Sequence, residues 1–281
     1  MRLGNLDGRA VLLDGDDLHD VASHGLSWDP MAALSQLDRL TTSSLGDPVA
    51  RRDEVTLGPP VPRPSKVFAI GLNYPDHTAE GGFEAPTHPL VFTKFPSCIV
   101  GPTADIAMRS DRCDYEGELV VVIGREARDL SPGDALAHVA GFMVGQDVSD
   151  RRTQFAAKPA HFALGKSFDT FGPTGPVLVT PDEVSLPDLR IRTWVNEVER
   201  QNDVVASMLF DVPTLVAYLS RVTTLFPGDL IFTGTPEGIG AIHRRYLADG
   251  DVVRTTIDGI GTLVNRCFRS DDHGLADLVR Q

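Results

Sequence analysis

Short apolar runs bounded by Gly, Pro and Asp recur along this chain and outnumber the segments with a helical period. Residues 1–21 place such runs, Ala10-Val11-Leu12-Leu13 among them, between Gly and Asp clusters, which predicts one or two strand hairpins. Lys66-Val67-Phe68-Ala69-Ile70 reads as a buried strand ending at Gly71. Residues 119–123, 139–144, 177–179, 189–195 and 230–233 read as further strands, and Val252 to Phe268 alternates around turns as closing strands would. Two segments look helical. In 29–40, Asp29 caps, Pro30 takes the first helical position, and Met31, Leu34 and Leu37 recur at a spacing of three. In 211–221, Asp211 is the cap. With few helices between the strands, the expected class is a β-rich α+β fold. The stretch Gly58-Pro59-Pro60-Val61-Pro62-Arg63-Pro64 reads as a stiff connector. It divides an expected small N-terminal domain, 1–58, from a main domain, 59–281.

Composition narrows the functions that need considering. The chain has 281 residues, 42% hydrophobic and 23% charged, a globular balance that excludes disorder as its general state. Twenty-six Lys and Arg against 39 Asp and Glu leave a net charge of −13. Such a surface repels phosphate backbones and anionic lipid heads, so neither nucleic acid nor membrane is an expected partner. An anionic substrate would need a local reversal of sign, from clustered cations or a metal. Cys98, Cys113 and Cys267 form neither a disulfide framework nor a zinc spacing, and read as free thiols in a reducing compartment. The first residues lack the apolar core of a signal peptide, and no run approaches the roughly 20 apolar residues that span a bilayer. A cytoplasmic location is expected.

The most specific chemistry lies in Asp114-Tyr115-Glu116-Gly117-Glu118, which runs into Leu119-Val120-Val121-Val122-Ile123. Alternation along a strand puts Glu116 and Glu118 on one face, where two like charges need a cation or a proton. Gly117 removes bulk from the opposite face. Asp147 follows the next apolar strand, and three carboxylates with positions open to water and substrate suit a hard ion, Mg²⁺ or Mn²⁺. An E-x-E taken alone is more often a solvated strand edge. His77 and Glu80 are three apart, so on one helical turn they share a side; a carboxylate beside an imidazole suits a general base, with Gly81 and Gly82 allowing movement. An exposed turn is the plainer alternative. Lys94 and Lys166 sit among apolar or small residues, where a cation can bind a carboxylate or stabilise an enolate, although a single lysine more often snorkels to the surface. The turn Thr233-Gly234-Thr235-Pro236-Glu237-Gly238-Ile239-Gly240 could present N–H groups to an anion; it is neither a Walker loop nor a dinucleotide fingerprint.

In order, NYPDHTAE at 73–80, VFTK at 91–94, DYEGELVVVIG at 114–124, GQDVSDRRTQ at 145–154, GKSFDTFGP at 165–173 and FTGTPEGIG at 232–240 resemble the fumarylacetoacetate hydrolase superfamily. The resemblance covers roughly residues 60–270. It implies mixed sheets rolled around the site, and a homodimer. It implies Glu116, Glu118 and Asp147 as ligands of Mg²⁺ or Mn²⁺, and His77 and Glu80 as the catalytic pair. Lys166 matches the lysine facing the metal, Arg151 and Gln154 match substrate contacts, and Thr235 matches a threonine that binds the substrate's acid group. Lys94 is taken as a further contact for a small anionic keto or diketo acid. Gln146, Asp150-Arg151-Arg152 and Val195-Asn196-Glu197 depart from the pattern, which bears on substrate identity. The expected reaction is hydrolysis of the C–C bond of an acylpyruvate or fumarylpyruvate-like compound. Decarboxylation of oxaloacetate and keto–enol isomerisation are the alternatives within the superfamily.

Overall fold

A computed structural model describes residues 1–25, 27–39, 45–75 and 84–270. The fold is a mixed, sheet-rich α+β fold, as the strand runs predict. Its largest sheet runs in the order Ala50–Arg51, Asp17–Asp20, Arg9–Asp14, Arg2–Leu6, Gly172–Val179, Val139–Gln146, Gly117–Ile123, Leu230–Phe232, Val67–Gly71, Leu90–Lys94, with Ile99–Val100 branching from Gly172–Val179. The strands of the first 58 residues join this sheet directly, Leu3 opposite Leu178. A second, five-stranded sheet runs Val198–Val204, Arg190–Val195, Val252–Ile257, Gly261–Arg269, Ile106–Met108.

The strands at the centre of the large sheet are apolar on both faces. Gly117–Ile123 and Val139–Gln146 are buried throughout, which is why they read as continuous apolar runs rather than alternating ones. Val212–Val222 is the one long helix among the described residues, capped by Asp211, whose carboxylate accepts the Thr214 N–H. The 29–40 segment is shorter than its periodicity suggests. Asp29 does cap it and accepts the Met31 N–H, but the α-helix spans only Pro30–Leu34, and Leu37–Arg39 forms a separate 3₁₀ turn. At the break, Gln36 turns back to accept the Ser27 N–H, a local bond that competes with helix propagation.

Gly117 is where the two sheets meet. A Cβ at this position would stand 2.3 Å from Thr193 Oγ1 and 2.9 Å from Thr255 Cγ2, both on the five-stranded sheet. Only glycine permits that approach, and it brings the second sheet directly under the two glutamates that flank it. No described helix is long and apolar enough to cross a membrane.

Candidate metal centre

The strand Gly117–Ile123 pairs antiparallel with Val139–Gln146, Glu118 opposite Gly145 and Gly117 opposite Gln146. This register carries the chain past Gln146 to Asp147 at the end of the sheet where Glu116 lies, and the Asp147 N–H closes on the Glu116 carbonyl at 2.8 Å. Glu116, Glu118 and Asp147 each offer a carboxylate oxygen within 4.8 Å of the others, and all three are buried. The solvated-edge alternative for the E-x-E is therefore excluded.

Both lysines singled out in the sequence are buried in the same cluster rather than snorkelling. Lys166 Nζ donates to Glu116 Oε2 and to Asp147 Oδ2, each at 2.6 Å. Lys94 Nζ donates to Asp147 Oδ1 at 2.7 Å, to the Phe171 carbonyl at 3.1 Å and to the Lys166 carbonyl. Burial works against the charge on Lys94, but Asp147, with smaller contributions from Cys98 and Glu118, offsets it and holds the ammonium's pKa above the ordinary lysine value. Arg151 closes the other side. Its guanidinium donates twice to Asp114 Oδ2, at 2.8 and 2.9 Å, once to Glu116 Oε1 at 2.5 Å and once to Gln154 Oε1 at 2.9 Å. Gln154 is thus held by Arg151, one turn along the short helix Arg151–Gln154.

Glu118 stands apart electrostatically. Its Oε2 accepts the Gly234 N–H at 2.8 Å, and no described cation bonds to it. Burial, then Asp147 and Glu116, push its pKa well above the usual carboxylate range. Among the described residues, Lys94, Lys166 and Arg151 bond to Asp114, Glu116 and Asp147, which leaves Glu118 as the carboxyl group of the four with no cation bonded to it. A divalent ion would supply that cation and favour the ionised form of Glu118. The donor set is all oxygen, with no described His or Cys among it, which fits Mg²⁺ or Mn²⁺.

The Gly-rich turn forms the floor. Gly234 has φ 99°, and a Cβ there would lie 2.7 Å from Asn73 Cβ. Asn73 pins the turn by donating to the Thr233 and Phe210 carbonyls and accepting the Phe210 N–H. Thr235 Oγ1 donates to the Gly117 carbonyl and accepts from Gln201 Nε2, so its proton is engaged within the protein. What it offers a ligand in this arrangement is a lone pair. Leu72, just before Asn73, has φ 56°, an uncommon conformation for a branched residue at the entrance to the 73–80 segment. His77 and Glu80 themselves lie outside the described residues.

Three residues of this constellation escape a sequence reading. Asp114 opens the motif, but nothing local tells that it binds Arg151 and the Gly240 and Ala241 N–H groups. Gln146 stands out in the sequence only as a departure from the family pattern; its Oε1 accepts the Glu116 N–H. Gln201 sits in the polar strand Val198–Val204, yet is buried and accepts the Gly117 N–H. A buried polar residue in a polar strand leaves no signal in a hydropathy pattern.

The family model for the fumarylacetoacetate (FAA) hydrolase C-terminal domain matches residues 66–267. Oxaloacetate tautomerase FAHD2A, mitochondrial, from Bos taurus is 42% identical over 240 residues, covering 84% of this chain and 76% of the relative. A solved Mycobacterium smegmatis protein, provisionally designated HpcE, superposes with a TM-score of 0.92 at 42% identity, over 96% of this chain and all of its own. Maleylpyruvate hydrolase from Sphingobium sp. SYK-6, solved in complex with manganese(II) and pyruvate, superposes with a TM-score of 0.81 at 29% identity, over 96% of this chain and 100% of that one.

Proposed function

Because this chain belongs to the fumarylacetoacetate hydrolase family, we propose that it is a divalent-metal-dependent enzyme that interconverts the keto and enol forms of oxaloacetate or a closely similar keto diacid. This is one of the alternatives that the motifs leave open, and it replaces C–C hydrolysis as the leading reading. The observation that carries it is the 42% identity with relatives named oxaloacetate tautomerase across 84% of the chain. The geometry is compatible. Tautomerisation moves one proton between carbon and oxygen and forms no new bond to water, so it needs a site that tolerates negative charge on the substrate oxygen and a group that carries the proton.

Glu116, Glu118 and Asp147 would hold Mg²⁺ or Mn²⁺. When bound, such an ion polarises the keto oxygen and makes the neighbouring carbon more acidic. Lys166 is a fixed ammonium against Glu116 and Asp147, placed to share negative charge on the substrate's oxygens. Lys94 holds Asp147 from the far side, so the carboxylate cannot swing away. Arg151 and Gln154 support Glu116 from outside the triad, with one guanidinium N–H left to meet an acid group. His77 and Glu80 are proposed as the proton carriers.

Hydrolysis of an acylpyruvate is the second reading. It is favoured by the Sphingobium maleylpyruvate hydrolase, and by a His77–Glu80 pair suited to activating water. The homodimer belongs to the same proposal and is checked by sedimentation at micromolar concentration. On location, the proposal keeps only a reducing compartment, which suits three free, buried thiols.

The test follows enol oxaloacetate by its ultraviolet absorbance, and pyruvate release from oxaloacetate, acetylpyruvate and fumarylpyruvate, each with Mg²⁺ or Mn²⁺ and each against a metal-only blank. Enzyme-dependent ketonisation without pyruvate release supports the tautomerase. Pyruvate from oxaloacetate would make it a decarboxylase. No acceleration of ketonisation, with pyruvate from the acylpyruvates, would transfer the assignment to the hydrolase.

A further inference from the structure

Glu116 and Gly117 present two successive backbone N–H groups where the large sheet ends and the carboxylate site begins. Neither is satisfied by a backbone carbonyl of the sheet. The Glu116 N–H donates to Gln146 Oε1 at 3.0 Å, and the Gly117 N–H donates to Gln201 Oε1 at 3.0 Å. Both amides are then anchored at their other end. Gln146 Nε2 donates to Thr255 Oγ1 at 2.6 Å. Gln201 Nε2 donates to Thr235 Oγ1 at 2.7 Å and to the Pro236 carbonyl at 3.0 Å. Gln146, Gln201 and Thr255 are all buried, so each bond is made away from water.

We propose that Gln146 and Gln201 are positioning residues that set the angle between Glu116 and Glu118, and that through Thr255 the five-stranded sheet determines how well the site binds its metal. The inference rests on the reading of Glu116, Glu118 and Asp147 as metal ligands. The direction of each side-chain amide is dictated by its partners. An N–H donor faces the oxygen of each glutamine, which fixes both amides from that end: flipped, either would turn its NH₂ against a main-chain N–H. Gln201 is fixed from its other end as well, because its nitrogen faces the Pro236 carbonyl and a Thr235 hydroxyl whose proton is already given to Gly117. The length of Gln146 matters too. It lies opposite Gly117 in the strand pair and must reach both the Glu116 N–H and a threonine of the other sheet. An asparagine is one methylene shorter and cannot span both. Without the latch, the bonds that remain to the backbone at 116–117 among the described residues include the Glu116 carbonyl on the Asp147 N–H and the Gly117 carbonyl on Thr235. The Glu116 carboxylate remains tied to Lys166 and Arg151, but its main chain can rotate beneath it.

The experiment measures Mn²⁺ affinity by calorimetry and by electron paramagnetic resonance, with the melting temperature of the metal-free protein recorded alongside. The variants are Gln146→Met, Gln146→Asn, Thr255→Val and Thr193→Val. Gln146→Met keeps the volume and loses both bonds; loss of such a support is expected to weaken Mn²⁺ by about 10–100-fold. Gln146→Asn and Thr255→Val should weaken it less, in the same direction, and broaden the Mn²⁺ spectrum. Thr193 lies in the same sheet under Gly117, but its hydroxyl has no hydrogen-bond partner among the described residues, so Thr193→Val should leave Mn²⁺ affinity unchanged. A folded Gln146→Met that binds Mn²⁺ as tightly as wild type overturns the proposal. Should Gln146→Met not fold, unchanged affinity in Thr255→Val overturns it instead, as does an equal loss in Thr193→Val. A wild-type protein that binds no Mn²⁺ would remove the metal reading first, and this inference with it.

Discussion

Replacing Arg151 with methionine separates a substrate contact from a structural strut. The guanidinium is buried and makes four hydrogen bonds, two to Asp114, one to Glu116 and one to Gln154. Burial opposes its charge, but Glu116 and Asp114 more than compensate and hold its pKa above the ordinary arginine value. Removing one partner of a buried pair costs about 3–5 kcal/mol, because the other charge is left without its counterion. Here the lower end applies. Asp114 keeps the Tyr115, Gly240 and Ala241 N–H groups, and Glu116 keeps Lys166. A loss of about 3 kcal/mol corresponds to a fall of roughly 6–12 °C in melting temperature for a chain of this size. The assay is urea and thermal unfolding of the metal-free protein at neutral pH, with substrate KM measured on the same preparation. Arg151→Lys should recover only part of the loss, since an ammonium cannot span Asp114, Glu116 and Gln154 at once. If Arg151→Met unfolds within about 0.5 kcal/mol of wild type and shows only a raised KM, the strut argument is wrong and Arg151 acts on the substrate alone.

Glu118→Gln removes a buried carboxylate that sits beside two others and is bonded by no described cation, so the EDTA-treated protein should melt at a higher temperature while Mn²⁺ binds more weakly; a lower melting temperature would refute this. Gly117→Ala forces a methyl to within 2.3 Å of Thr193 Oγ1 and 2.9 Å of Thr255 Cγ2, so the sheets must separate; about 1–3 kcal/mol of stability and much of the metal affinity should be lost together, as read by unfolding and calorimetry. The thiols of Cys113 and Cys267 are pushed up to about 12, by burial first and then by nearby Asp150 and Asp251 respectively, so their thiolate fraction at pH 8 is on the order of 10⁻⁴. Iodoacetamide at that pH should label neither until the chain unfolds, and rapid labelling of native protein, located by peptide mass, would count against the burial described.

What the chain declares by itself is what depends on short spacing. The strand period puts Glu116 and Glu118 on one side of the main chain with Gly117 facing away, and the next apolar run delivers Asp147 to the same sheet end. Asp29 and Asp211 announce their helix starts because a cap acts two or three residues along the chain. The family blocks are legible for a related reason: they are contiguous strings. The tertiary structure decides what those acids meet. Lys94 and Lys166 look like any lysine after a strand or a glycine, and only the packing of distant segments removes both from water and sets them against Asp147. Arg151 finds Asp114 37 residues away, Gln201 reaches Gly117 across 84, and Gln146 reaches Thr255 across 109. The continuous sheet from the edge strand Ala50–Arg51 to Leu90–Lys94 likewise depends on Leu3 pairing with Leu178. Hydropathy carries no information about such pairings. A buried polar group is tolerated only because its partner arrives from elsewhere in the fold, and that partner is chosen by sheet register and close packing rather than by anything local to the residue.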